Sequence, residues 1–135
     1  MSTLTQLRTN ILDFSHGLSL DQLTDAIQQH SLSPFCVTDA LGRFQAMNHA
    51  YAAFYGYLRN ELMGQHASIL LPKSQHLRFR QSYAQFVQEG QNQPQNMQWE
   101  VYTKDGLLRT IFVRAVRVVL LGGTVSIVTL VQPEY

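Results

Sequence analysis

The side chains here that could ligate a metal, attack a substrate or carry a proton are five histidines, nine carboxylates and one cysteine, Cys36. A zinc site needs three or four such groups converging on one point, and its ligands usually recur at short spacings in the sequence. His16, His30, His49, His66 and His76 show no such spacing and read as loop, turn-edge or helix-start residues. A lone cysteine excludes an intrachain disulfide and a cysteine-rich metal site, and fits a reducing, cytoplasmic setting. No nucleophile elbow, phosphate-cradling glycine loop or His-Glu metal helix is present. Asp13, Asp21, Asp25 and Glu89 fall on expected exposed helix faces or ends, and Glu100 on a strand where it should pair with Arg109 or Arg114. A small α+β enzyme would need an ionisable group with a shifted pKa inside a pocket, Glu100 or Asp39 for instance, and without a catalytic motif the reading is a binding module and not an enzyme. What remains is apolar chemistry. Phe79, Tyr83, Trp99 and Phe112 could wall a slot for a small ligand, with His76 one turn before Phe79.

These residues need elements to hold them. The chain has 135 residues, 45% hydrophobic and 14% charged, with a formal net charge of +1, which matches one folded domain. Eight of its ten basic residues are arginines scattered from Arg8 to Arg117, so no basic stripe points to nucleic acid. Met1–Asn10 lacks the basic and apolar regions of a signal peptide. The apolar run Val118–Leu121 stops at Gly122-Gly123, far short of the roughly 20 residues that cross a bilayer. No membrane partner is expected.

Apolar periodicity predicts two opening helices: residues 3–14, with Leu4, Leu7, Ile11 and Leu12 on one face, and 20–29, with Leu23, Ala26 and Ile27. Ser19 and Gln22 have capping-box spacing. Strands are predicted over 35–38 and 42–47 around Asp39-Ala40-Leu41. Asn48 then caps a helix over 50–55 that ends at Gly56. Ser74 is expected to cap a longer helix running to Gln88, with Phe79, Tyr83, Phe86 and Val87 inward, Arg78, Gln81 and Gln85 outward, and Gly90 as its stop. After a polar loop, strands over 97–104, 107–120 and 124–131 are joined by Asp105-Gly106 and Gly122-Gly123, read as two-residue hairpin turns. Helices first and strands last argue for an α+β fold with an antiparallel sheet.

Several fragments in order carry a family resemblance. They are Val37-Thr38-Asp39-Ala40-Leu41-Gly42-Arg43-Phe44, Asn48-His49-Ala50-Tyr51, Gly56-Tyr57, Glu61-Leu62-Met63-Gly64, Leu71-Pro72 and Lys104-Asp105-Gly106. Over about residues 33–131 the chain resembles a PAS domain. The resemblance implies a five-stranded antiparallel sheet with helices across one face, preceded here by amphipathic helices. It divides the chain into a helical cap and dimerisation segment, 1–30, and a PAS domain, 31–135. The shared residues are turns and caps, so the ligand stays open. PAS domains that form a thiol–flavin adduct carry Gly-x-Asn-Cys-Arg-Phe, where this chain reads Gly64-Gln65-His66-Ala67-Ser68-Ile69. The thiol position is Ala67, which argues against an adduct-forming photoreceptor. In haem-binding relatives the axial histidine position corresponds to Phe79, and His76 could serve only if the helix slid. A redox or oxygen sensor holding non-covalent flavin or haem, an unidentified metabolite and a ligand-free interaction scaffold remain as alternatives.

Residues 107–120 are apolar on both faces, Ile111, Val113 and Ala115 alternating with Leu108, Phe112, Val116 and Val118. Both faces then need cover, which the N-terminal helices can supply within the chain or across a twofold axis. Leu4, Leu7, Ile11, Leu23 and Ile27 are accordingly expected at a homodimer contact. The overall expectation is a cytoplasmic signal-sensing module that binds a small molecule and passes a conformational change to an effector protein.

Overall fold

The computed structural model describes residues 18–29, 33–89 and 95–133. The expected helix over 3–14, with Leu4, Leu7 and Ile11, and the Gly90 stop lie outside the described residues. Five strands form one antiparallel sheet: β1 (Phe35–Asp39), β2 (Phe44–Met47), β3 (Gln95–Tyr102), β4 (Leu108–Val119) and β5 (Val125–Pro133). Their spatial order is β2-β1-β5-β4-β3, so β3 to β5 make the expected meander and β1 closes on β5 with Phe35 opposite Leu130. The helices are α1 (Leu20–Gln28), α2 (His49–Tyr55), α3 (Arg59–Leu62) and α4 (His76–Glu89), with 3-10 turns at Ala67–Leu70 and Lys73–Gln75.

Local chemistry accounts for most boundaries. The Ser19 side chain accepts from Gln22 N at 3.1 Å while Gln22 Oε1 accepts from Ser19 N at 2.8 Å, the reciprocal capping box that opens α1. All three hairpin loops share one pattern. Asp39, Thr103 and Leu120 each donate N–H to the carbonyl four residues on and accept from the N–H three residues on, which belongs to Gly42, Gly106 or Gly123 at φ 88°, 86° and 89°. These are three-residue loops ending in a left-handed residue, not the two-residue turns expected at Asp105-Gly106 and Gly122-Gly123. In the first pair Asp105 lies in the loop body and Gly106 supplies the positive φ that returns the strand, whereas Gly122 and Gly123 both have positive φ, 92° and 89°. The start of α4 also differs. Pro72 leads into the 3-10 turn Lys73–Gln75, from which α4 continues at His76, so a 3-10 turn and not a Ser74 cap opens it.

Each side of the sheet carries an apolar core within this chain. On one side Leu18, Leu23 and Ile27 pack with Phe35, Val37, Ala46, Val116, Val118, Val128 and Leu130. Leu23 and Ile27 are 0% exposed there, and each burial contributes about 1.5–3 kcal/mol. Expected at a dimer contact, they instead lie in this chain's own core, because the outer sides of β1, β4 and β5 offer them a full apolar floor. On the other side Phe44, Met47, Tyr51, Tyr55, Leu62, Leu71, Trp99, Val101, Ile111, Val113 and Val131 form the second core under α2, α3 and α4. Lys104 ties the β3–β4 loop to this layer. Its N–H donates to Tyr55 O at 2.8 Å, and its Nζ meets Glu61 Oε2 at 2.7 Å.

Candidate ligand-binding site

Between α4 and the inner side of the sheet lies a cavity of about 90 Å³. Alternation along the strands builds its floor: Cys36 and Thr38 from β1, Met97, Trp99 and Val101 from β3, Ile111, Val113 and Ala115 from β4, and Ile127, Thr129 and Val131 from β5. Phe79, Ser82, Tyr83 and Phe86 of α4 form the roof, and Tyr51 and Tyr55 of α2 close one end. The aromatic wall is continuous, with ring centroids 5.6 Å apart for Phe79–Trp99, 5.5 Å for Phe79–Tyr83 and 5.1 Å for Tyr51–Tyr55.

The expected site residues divide. Phe79, Tyr83 and Trp99 line the cavity. Phe112 does not. It shares its strand side with Val116 and Val118, opposite to Ile111 and Val113, and is 40% exposed. His76 is absent from the lining too, and its Nε2 lies 3.0 Å from Leu71 O, where it ties the start of α4 to the preceding turn. Among the carboxylates proposed for pocket chemistry, Glu100 is exposed and makes no ion pair with Arg109 or Arg114. Asp39 accepts Leu41 N and Arg43 N at 2.9 Å each and meets Arg43 Nε at 3.2 Å, an anchor for its own turn. Among the described residues, no three His, Cys, Asp or Glu side chains cluster as a metal would require.

Residue-by-residue reading missed Cys36, Tyr51, Tyr55 and Thr129. Cys36 lies within hydrogen-bonding reach of the Tyr51 and Thr129 hydroxyls, and Tyr51 within reach of Tyr55. The i, i+4 spacing of Tyr51 and Tyr55 after the Asn48 cap was the available signal. Burial pushes the Cys36 thiol up to about 12, and raises Tyr51, Tyr55 and Tyr83 above the usual phenol range. An acid whose folded pKa is raised stays protonated after the unfolded chain has ionised, so its stabilising effect is complete below the unfolded pKa and is lost as pH rises. The urea midpoint is therefore expected to fall steadily from pH 9 to 12, and native Cys36 should resist iodoacetamide at pH 8 while the urea-unfolded thiol reacts within minutes. Rapid native alkylation would contradict this burial.

The roof is lightly held. No residue of α4 is fully buried. The Tyr83 hydroxyl donates to Asp39 O and, alternatively, to Thr38 Oγ1 at 2.7 Å, while Arg117 Nε donates to Val87 O at 2.8 Å. Arg78 stacks 4.1 Å from the Trp99 ring centroid and donates to Gln98 O at 3.2 Å. Tyr83→Phe is expected to cost about 1 kcal/mol and to speed hydrogen exchange in α4 selectively. Equal changes in α4 and the β4–β5 amides would show that the bond does not pin the helix.

Comparison with known proteins adds the decisive point, since a family described as the PAS fold matches residues 22–133. The chain belongs to the PAS family. This PAS domain is similar to one from Colwellia psychrerythraea, at TM-score 0.70 and 20% identity over 85% of this chain and 96% of that one. It is also similar to a domain of a sensory box sensor histidine kinase/response regulator from Geobacter sulfurreducens, at TM-score 0.64 and 21% identity over 80% and 89% of the two chains. A third similar structure is the PAS domain of the Cronobacter turicensis RpfR quorum-sensing receptor in complex with BDSF, at TM-score 0.62 and 15% identity over 76% and 94%. At these identities the likeness shows the shared fold. No curated protein matches the sequence. Among the described residues of this PAS domain, no helix is long and apolar enough to cross a membrane.

Proposed function

We propose that this PAS domain is a sensing module in which a small molecule in the inner cavity shifts α4 against the sheet. The observation that carries the reading is an aromatic-walled cavity roofed by a helix with no fully buried residue. A ligand touching Phe79 and Tyr83 would bind the closed roof better than the open one, and that difference in affinity is what moves such an equilibrium. The complex described for the Cronobacter relative supports a ligand-binding role, and the description of the Geobacter relative supports a signalling one. A second copy and an effector would read the change from the sheet's outer side, where Tyr102, Leu108 and Phe112 are 41%, 46% and 40% exposed. Since Leu23 and Ile27 are already buried, the contact between copies falls to Leu4, Leu7 and Ile11.

Native mass spectrometry and an absorption spectrum of protein purified from cells test the ligand. A colourless wild type with a small added mass, absent from the cavity-filling variant Ala115→Leu, is the expected result. Identical masses would overturn the reading, and a visible band would replace it with a flavin or haem sensor. For the dimer, light scattering should give twice the monomer mass for wild type and a monomer for Leu7→Asp. A monomeric wild type at high micromolar concentration would rule the contact out.

A further inference from the structure

Among the described residues the cavity's polar side-chain groups are all uncharged: the Cys36 thiol, the Trp99 indole and the hydroxyls of Thr38, Tyr51, Tyr55, Ser82, Tyr83 and Thr129, with no Lys, Arg, His, Asp or Glu in the lining. The nearby cations are engaged elsewhere. Arg78 stacks on Trp99 at 4.1 Å, Arg109 on Phe54 at 4.4 Å, and Arg117 donates to Val87 O. The His66 ring meets the edge of Phe79 at 5.9 Å, with Nδ1 2.7 Å from Ser68 Oγ. A carboxylate or ammonium entering this cavity would give up its water shell and meet no counter-charge, which is the costly case of burial. An uncharged oxygen meets no such penalty, because the Cys36–Tyr51–Tyr55 hydroxyl and thiol cluster can donate to it. Size narrows the class further. The volume of about 90 Å³ is smaller than the roughly 150 Å³ that encloses a benzene and well below the about 300–1,000 Å³ of sites for drug-sized ligands.

We propose that the cavity takes a small uncharged molecule of roughly three to five non-hydrogen atoms, an alcohol, ketone or aldehyde. Its oxygen lies on the Cys36–Tyr51–Tyr55 cluster and its carbon chain against Phe79, Trp99 and Ile111. This inference rests on the cavity being the sensing site.

The test is a titration of the wild-type chain followed by amide resonances, using three probes of equal length at pH 7: 1-butanol, butyrate and butylammonium. 1-Butanol is expected to shift Cys36, Tyr51 and Thr129 saturably, with both ions weaker by roughly 30-fold or more. Tyr51→Phe should weaken 1-butanol about tenfold, and Ala115→Leu, checked for its fold by circular dichroism, should abolish the shifts. Butyrate binding as tightly as 1-butanol would overturn the uncharged class while leaving the cavity as the site. No saturable shift with any of the three probes, or undiminished binding to folded Ala115→Leu, would overturn the cavity site and the ligand class together.

Discussion

Asn48→Ala is expected to lower the unfolding free energy by about 3 kcal/mol, the sum of a lost helix cap and further buried hydrogen bonds. Asn48 is 2% exposed. Its Oδ1 accepts from Tyr51 N at 3.0 Å and from Phe35 N at 3.1 Å, and its Nδ2 donates to Ser33 O at 2.5 Å. One side chain therefore joins the start of α2 to the start of β1, and alanine would leave these backbone groups without the partner it provides. Tyr51, which closes one end of the cavity, follows in the first turn of α2, so fraying there would loosen the Cys36 cluster as well. Asn48→Asp separates the contributions. It keeps both acceptor roles but loses the donor to Ser33 O and buries a charge, so its deficit should shrink in acid, where a protonated carboxyl can donate again. Urea unfolding of the three proteins checks this. A loss below 1 kcal/mol for Asn48→Ala would show that water replaces the amide at little cost.

The second large effect is expected at Gly42→Ala, about 2–3 kcal/mol, combining a left-handed backbone with a steric conflict. Gly42 has φ 88°, and a Cβ there would lie 2.8 Å from His66 Nε2. The ring has little freedom to yield. Nδ1 meets Ser68 Oγ at 2.7 Å, the ring packs against Phe79, and the surrounding backbone is pinned by Ala67 N to Gly42 O at 2.9 Å and Phe44 N to Gln65 O at 2.9 Å. A thermal-unfolding cycle with His66→Ala divides the two causes. The His66→Ala background should remove the steric part and leave about 1–2 kcal/mol from φ. An unchanged penalty would assign the whole effect to backbone conformation. Because His66 touches Phe79, relief by rotation of the ring should also register in cavity occupancy.

Where sequence reading succeeded, the physics was local. The Ser19 box, the Asn48 cap, the places of the hairpin loops and the inward face of α4 each follow from residues a few positions apart. The ordered fragments also carried the family. Phe112 shows the limit of that reading. The period-2 pattern of β4 separates Ile111 and Val113 from Phe112, but with both faces apolar it does not say which one meets α4. The fate of Leu23 and Ile27 is similar, since an amphipathic stripe buries itself equally well on its own sheet or on a neighbour's.

The cavity was the least legible feature. Cys36, Tyr51, Phe79, Trp99 and Thr129 come from β1, α2, α4, β3 and β5, and none has a neighbour in sequence that announces the others. By itself the sequence determined where the turns fall, the Ser19 and Asn48 caps, the helix faces and the α+β class, because these depend on φ, ψ and hydrogen bonds within one or two turns of chain. Only the tertiary structure decided which strand side became the floor, that α1 covers its own sheet, and that the enclosed groups are uncharged. Those outcomes depend on packing between distant segments, where burial and volume, not local spacing, set the result.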